Sequence, residues 1–278
     1  HSGAGRIGKI QMHTMSLYES GDSTGKVSIQ DMLNNNLKNE LNNKTTLDAL
    51  ANLIIRGGWP SNIKTPEDKI GIIPKSYIEA ILEKDIHDDK KRDKNKMLML
   101  LKSLARNEAT IASKRTLLND IEQYENENEL IESRSTIDDY LNVLNRLHII
   151  QDQIAYSENY RSPARIGKSV KRHFTDPSLA CACLDLTKDK LINDLRTFGF
   201  MFEALVERDL RIYMDYLNGK LYHFRDNVTG LEADSIIEFN DGEYAIIEIK
   251  LGYNEVENAK KNLKNIYTNM VKKPKFMC

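Results

Sequence analysis

Apolar residues early in the chain recur at helical spacing. In TLDALANLIIRGG, residues 46–58, Leu47, Leu50, Leu53 and Ile54 gather on one helical face, and Gly57-Gly58 ends the pattern just before Trp59-Pro60. SYIEAILEKDI, after Pro74, predicts a second short helix, and MLMLLKSLARN, SKRTLLNDIEQY and STIDDYLNVLNRLHI predict three more from Met97 onward. In the last of these, Ser135 or Thr136 suits the N-cap. Asp138 and Asp139 then fall in a first turn where negative charge meets exposed amides. The period next shortens to alternation: IIQDQIAY reads as a strand, NYRSPARIGKSVKR as a basic loop and HFTD as another strand.

Beyond Leu184 the texture is α/β. TFGFMFEALVERDLRIYMDYL predicts a long helix, with Tyr213 and Tyr216 at core spacing and a left-handed stop at Asn218-Gly219. A strand KLYHFRD and a hairpin GLEADSIIEFNDGEYAIIEIKLG follow. A helix from Asn254 then buries Val256, Ala259, Leu263, Ile266 and Met270, and KPKFMC reads as the opening of a further strand that breaks off. At the other end the chain starts without Met and gives a strand-like run from Arg6 to Leu17. The Asn-rich DMLNNNLKNELNNKTTLDAL reads as a solvated helix and linker, and HDDKKRDKNK from His87 as a solvated hinge. The expected fold class is mixed α/β in three units, residues 1–92, 93–178 and 179–278. The middle unit has the helix, strand and loop order of a winged helix-turn-helix.

Charge narrows the function classes. Charged residues make up 29% of the chain but leave a formal charge of −1, so no overall field draws it onto nucleic acid or membrane, and any basic surface is local. Cys181, Cys183 and Cys278 form neither a CxxC pair nor an even set, which argues against a disulfide framework or a zinc site and fits a reducing cytoplasm. Cys181 and Cys183 read as small buried apolar groups, and His148 and His173 as packing or surface residues. No apolar run approaches the roughly eighteen residues of a membrane span.

The hairpin carries the candidate chemistry. Asn240-Asp241-Gly242 matches a three-residue loop with Gly in the left-handed position, so Phe239 pairs with Glu243, Ile236 with Ile246 and Asp234 with Glu248. Asp234, Glu248 and Lys250 then share one face of a sheet whose other positions are mostly apolar. Two carboxylates side by side repel unless a cation lies between them, and Mg²⁺ or Mn²⁺ takes such oxygen ligands. A nearby Lys can orient a metal-bound water or steady a phosphate. Glu203, on the apolar side of the preceding helix with Val206 and Leu210, is expected to point at the sheet and join the set. From spacing alone, a salt-bridged hairpin stands beside the metal site as the structural alternative.

At these residues the chain resembles the PD-(D/E)xK nuclease superfamily, whose core runs helix, three strands, helix, strand. The resemblance implies Asp234 and Glu248 as metal ligands, Lys250 as the residue assisting the attacking water, and Glu203 as the first-helix Glu; Ala233 stands where Pro is frequent. Taken whole, through SGAGRI, MSLYESGDSTG, IIRGGWP, SLARN, TIDDYLNVLNRL, KRHFTDPSLA, GFMFEALVERDLRIY and GLEAD to EIKLG, the chain resembles prokaryotic AAA-type ATPases with a nuclease-like C-terminal end. That implies an ATPase remnant in residues 1–92, with Arg6 facing nucleotide. ATP would bind only through a P-loop that these residues lack, since GxxxxGK[ST] does not occur.

DNA is the expected partner, met by the third helix of the middle unit and by Arg161, Arg165, Lys168, Lys171 and Arg172 in its loop. Asp138 and Asp139 would oppose phosphate there, and the winged helix is equally suited to docking a protein. The expectation is thus a DNA-binding, nuclease-like protein capable of Mg²⁺- or Mn²⁺-dependent phosphodiester hydrolysis. A non-catalytic DNA- or protein-docking module is the alternative.

Overall fold

The computed structural model describes residues 5, 6, 8, 10–36, 45–84, 93–122, 133–167 and 169–278. Residues 10–16 join no sheet, contrary to the strand expected from Arg6 to Leu17; Met15 N–H bonds the Gly58 carbonyl at 2.7 Å instead. Helix α1 (Ile29–Leu33) is capped by Ser28, whose side chain accepts from Asp31 N–H. Residues 37–44 of the expected linker, and 87–92 of the expected hinge, lie outside the described residues.

Helix α2 (Leu47–Arg56) is capped by Thr46 and stops where expected. Gly57 there has φ +66°, and a Cβ would lie 2.4 Å from Ser178 Oγ, so both conformation and space require glycine. The inner face of α2 is Ala51, Ile54 and Ile55, while Leu47 is exposed. Helix α3 (Ile72–Lys84) begins before Pro74, which a first turn accommodates because its amide needs no partner. Helices α4 (Lys94–Arg106), α5 (Lys114–Glu122) and α6 (Ser133–Arg146) follow. Because α6 starts at Ser133, Ser135 and Thr136 are inside the helix and not at its cap. Asp138 pairs with Lys114 of α5.

Residues 149–155 and 171–175 then run antiparallel, joined by Gln151 N–H to His173 O at 2.8 Å and by reciprocal 2.9 Å bonds between Gln153 and Lys171. Helices α7 (Pro177–Cys183), α8 (Lys188–Asn193) and α9 (Leu195–Tyr216) complete the first core, in which Ile54, Leu100, Leu144, Leu179 and Phe198 belong to one apolar cluster. That cluster runs across residues 92–93 without a break, and the division expected at 178–179 falls inside α7. The helical regions before and after residue 92 therefore share one interior.

Strands β1 (Lys220–Arg225), β2 (Glu232–Glu238) and β3 (Tyr244–Ile247) form an antiparallel sheet in that order, and helix α10 (Val256–Asn269) follows. Residues 275–278 pair parallel to β3 through Cys278 N–H to Ile246 O at 3.0 Å. On the opposite edge Ala155 pairs parallel to His223 of β1. The C-terminal order is thus helix, three strands, helix and a pairing segment, and the chain is mixed α/β as expected. Helix α9 packs on one face of the sheet through Leu210 and Met214, and α10 on the other through Leu263, Ile266 and Met270. Val256 and Tyr216, expected in the core, are exposed; each lies at the end of its helix, beyond the sheet. The left-handed stop of α9 is Asn218, at φ 53°.

Candidate functional site

The hairpin register is the one its turn chemistry predicts. Ile236 pairs with Ile246, Phe239 N–H bonds Glu243 O at 2.8 Å and Gly242 has φ 77°. Asp234 and Glu248 are therefore brought opposite one another just where β3 ends. Asp234 Oδ2 accepts from Ile249 N–H at 2.7 Å and from Lys250 Nζ at 2.9 Å, and Glu248 Oε2 lies 2.9 Å from the same ammonium. From α10, Asn262 Nδ2 donates to Glu248 Oε1 at 2.5 Å and to Glu232 O at 2.7 Å. The rim is graded: the side chain of Glu248 is 4% exposed, that of Asp234 18% and that of Lys250 32%. Burial, reinforced by the charge of Asp234, pushes the Glu248 carboxyl up to about 7. Burial disfavours the Lys250 ammonium, but Asp234 and Glu248 override it and hold the group protonated.

Glu203 does not join that pair directly. It bonds the ammonium of Lys171, which also lies 3.0 Å from Glu207 Oε1 and donates to the Asp234 carbonyl at 3.1 Å. Burial is the main reason the Glu203 carboxyl stands near 8; Lys171 pulls it down, while Glu207 and Asp234 push it up. Glu207, one turn further along α9, is buried and accepts from Ser235 Oγ at 2.7 Å. Burial opposes its ionisation, yet Lys171 and His173 hold its pKa well below the usual carboxylate range. His173 lies 3.0 Å from both Glu207 and Glu108, which outweigh its burial and raise it to about 9.

The loop expected to meet DNA is largely committed inward. Arg165 forms a two-point pair with Glu238 at 2.8 and 2.9 Å and lies over the rings of Tyr156, Tyr160 and Tyr222. Arg172 is buried, paired with Asp152 and bonded to Ala112 O at 3.0 Å. Lys171 is the buried cation already described. Arg161 is exposed, and Lys168 lies outside the described residues. Arg6, the expected nucleotide-facing residue, is exposed in a turn.

Sequence reasoning missed Glu207, Glu108, Ser235 and Asn262, and it assigned Lys171 to phosphate and His173 to packing. Two signals were available: Glu203 and Glu207 are four apart on one helix face, and Lys171 and His173 are two apart on one strand face.

The donor set fits a hard divalent cation. Its side-chain oxygens come from two carboxylates at a partly open rim, the usual protein share for Mg²⁺ or Mn²⁺ when waters fill the remaining positions. Among the described residues no three His, Cys, Asp or Glu side chains gather into a metal-holding group, and Glu203 is bonded to Lys171 instead. Lys250 now lies between the pair and would have to give way.

Among the described residues no helix is long and apolar enough to cross a membrane. Neither the curated proteins nor the solved structures contain a match to this chain. Two family profiles do match. Residues 198–277, which hold the Asp234, Glu248 and Lys250 cluster, match the domain of unknown function DUF4143, which is found in AAA-ATPase-associated proteins. Residues 47–190, from α2 into α8, match the domain of unknown function DUF8612, and because this match covers more than half of the sequence, the chain belongs to that family.

Proposed function

We propose that the C-terminal unit is a Mg²⁺- or Mn²⁺-dependent phosphodiesterase acting on DNA, carried by an AAA-ATPase-associated protein. The observation that supports it is the placement of Asp234 and Glu248 opposite one another at a half-open rim, with Lys250 within 2.9 Å of both. When bound, the cation would polarise a phosphoryl oxygen and activate a water. Asp234 and Glu248 would hold it, and Asn262 keeps Glu248 in place. Lys250, freed from the carboxylates, donates to the phosphate or to the attacking water. It keeps its proton while both carboxylates are unneutralised, and becomes easier to deprotonate once they are not. The α4–α6 unit with its paired segments is read as a winged helix that docks a partner through protein contacts.

A second reading has its own observation. Lys250 already satisfies both carboxylates, so the cluster is also consistent with a salt-bridged hairpin in a non-catalytic docking module. Calorimetric titration of Mn²⁺ into the wild type, Asp234→Asn and Glu248→Gln separates the two. Saturable binding lost in both variants is expected for the enzyme. Lys250→Ala should then abolish cleavage while DNA affinity stays near that of the wild type. No saturable binding in the wild type would hand the site to the docking reading.

A further inference from the structure

Residues 258–278 contain six lysines and no Asp or Glu, in a chain whose overall formal charge is −1. Three of them, Lys260, Lys261 and Lys264, project from the exposed side of α10, opposite the face that buries Leu263 and Ile266. Lys260 has only a 3.8 Å contact with Glu257, and among the described residues no carboxylate pairs with Lys261, Lys264 or Lys275. Lys272 is tied to the Gly242 carbonyl and to Glu243 at 3.3 Å, and Lys273 to the carbonyls of Tyr267 and Met270.

Beside the lysines runs a second row. Asn258, Asn262, Asn265 and Asn269 are spaced by four, three and four residues and so share one edge of α10. The edge has a fixed direction, because Asn262 is bonded to Glu248 and to the Glu232 carbonyl. Asn258, Asn265 and Asn269 are exposed along it; Asn258 Nδ2 donates to Glu255 Oε2 at 3.4 Å and Asn269 Nδ2 to Asn265 O at 2.8 Å, and each keeps a second N–H for another acceptor. A strip of cations thus borders a strip of neutral amide donors, and the amides border the acidic rim. Cations supply the long-range attraction a phosphate chain needs, and amides bond its oxygens without adding charge. The loop basic residues Arg165, Lys171 and Arg172 are held in internal ion pairs, whereas Lys260, Lys261 and Lys264 of α10 are exposed on the helix that bonds the acidic rim.

We propose that α10 is the track along which a nucleic-acid backbone lies as it reaches Asp234 and Glu248, its phosphates on Lys260, Lys261 and Lys264 and on the asparagine edge. The direction of the track rests on the phosphodiesterase reading; the binding itself does not.

The test is fluorescence anisotropy of the full chain with labelled single- and double-stranded oligonucleotides in EDTA, so that neither metal nor cleavage contributes, over a series of salt concentrations. Charge reversal at all three positions, K260E/K261E/K264E, is expected to weaken binding at least about tenfold and to flatten the salt dependence by about two to three released ions. Asn265→Asp, which keeps shape and adds one charge beside the track, is expected to weaken it about two- to fivefold. Lys75→Ala, which removes an exposed α3 cation paired with Asp185, should bind as the wild type does. Circular dichroism melts of all variants establish that folding is kept.

Wild-type affinity in the triple variant would overturn the track, as would no oligonucleotide binding by the wild type. Binding to phosphatidylserine vesicles in place of oligonucleotides, aided by the exposed Val256 and Val271, would overturn it too. The two proposals fail separately. Lysine-dependent oligonucleotide binding without any Mn²⁺ site leaves the track and removes the enzyme. A Mn²⁺ site with lysine-independent binding does the reverse.

Discussion

Two acidic clusters on either side of β2 use nearly the same residue types to opposite ends. Under α9, Glu207, Lys171, His173 and Glu108 are almost wholly shielded from water, and each charge faces one of opposite sign at about hydrogen-bond distance. At the hairpin rim, Asp234 and Glu248 share the single ammonium of Lys250, which is one-third exposed. A sealed pair in which every charge is met cannot change state without large cost, so it serves architecture. A rim with more carboxylates than cations, open to solvent, has room for an arriving charge. What separates structure from chemistry here is access, not residue type.

The largest expected effect breaks the sealed cluster. Glu207→Gln leaves Lys171 and His173 facing a neutral group, and chemical denaturation should register a loss of about 3–5 kcal/mol. A loss under about 1 kcal/mol would mean the two clusters are equally soft. Next comes Arg165→Ala, which removes a two-point ion pair and contacts with three tyrosine rings; about 2–4 kcal/mol is expected in the same measurement.

A third prediction uses pH. Glu203 and Glu248 have folded-state pKa values raised from 4.5 to about 8 and about 7. Their contribution to stability is complete below about 4.5 and is lost as pH rises through 7 and 8. Unfolding free energy should therefore decline from pH 5 to pH 8, and Glu203→Gln should flatten the decline. Glu207, with its lowered value, acts in the opposite sense and loses its contribution only as pH falls below 4.5. A wild-type curve that rises across pH 5–8 would refute the assignment. The smallest effect is at Asn262→Ala, about 1 kcal/mol, with the Glu248 carboxyl moving further up when followed by NMR titration.

The hairpin was legible because turn chemistry and period-2 alternation are local rules: Asn240-Asp241-Gly242 set the register, and the register placed Asp234 opposite Glu248. The boundaries of α2 and α9 were legible for the same reason. Lys171 was misread because a basic residue in a basic loop looks the same in sequence whether it faces water or a buried glutamate 36 positions away. Glu203 was half legible: its helix face was right, but only tertiary packing decided that Lys171 would stand between it and the hairpin. Asn262 carried no sequence signal until Glu248 had a place.

The parallel pairing of Ala155 with His223 has a consequence for inheritance. Residue 155 lies in the span of one family and residue 223 in that of the other, so the seam between the two family spans is crossed by the rungs of a single sheet. Recombination between α8 and α9 would hand a descendant β1 with its outer edge bare, a ready template for another chain's strand. The two segments are therefore expected to be inherited as one piece.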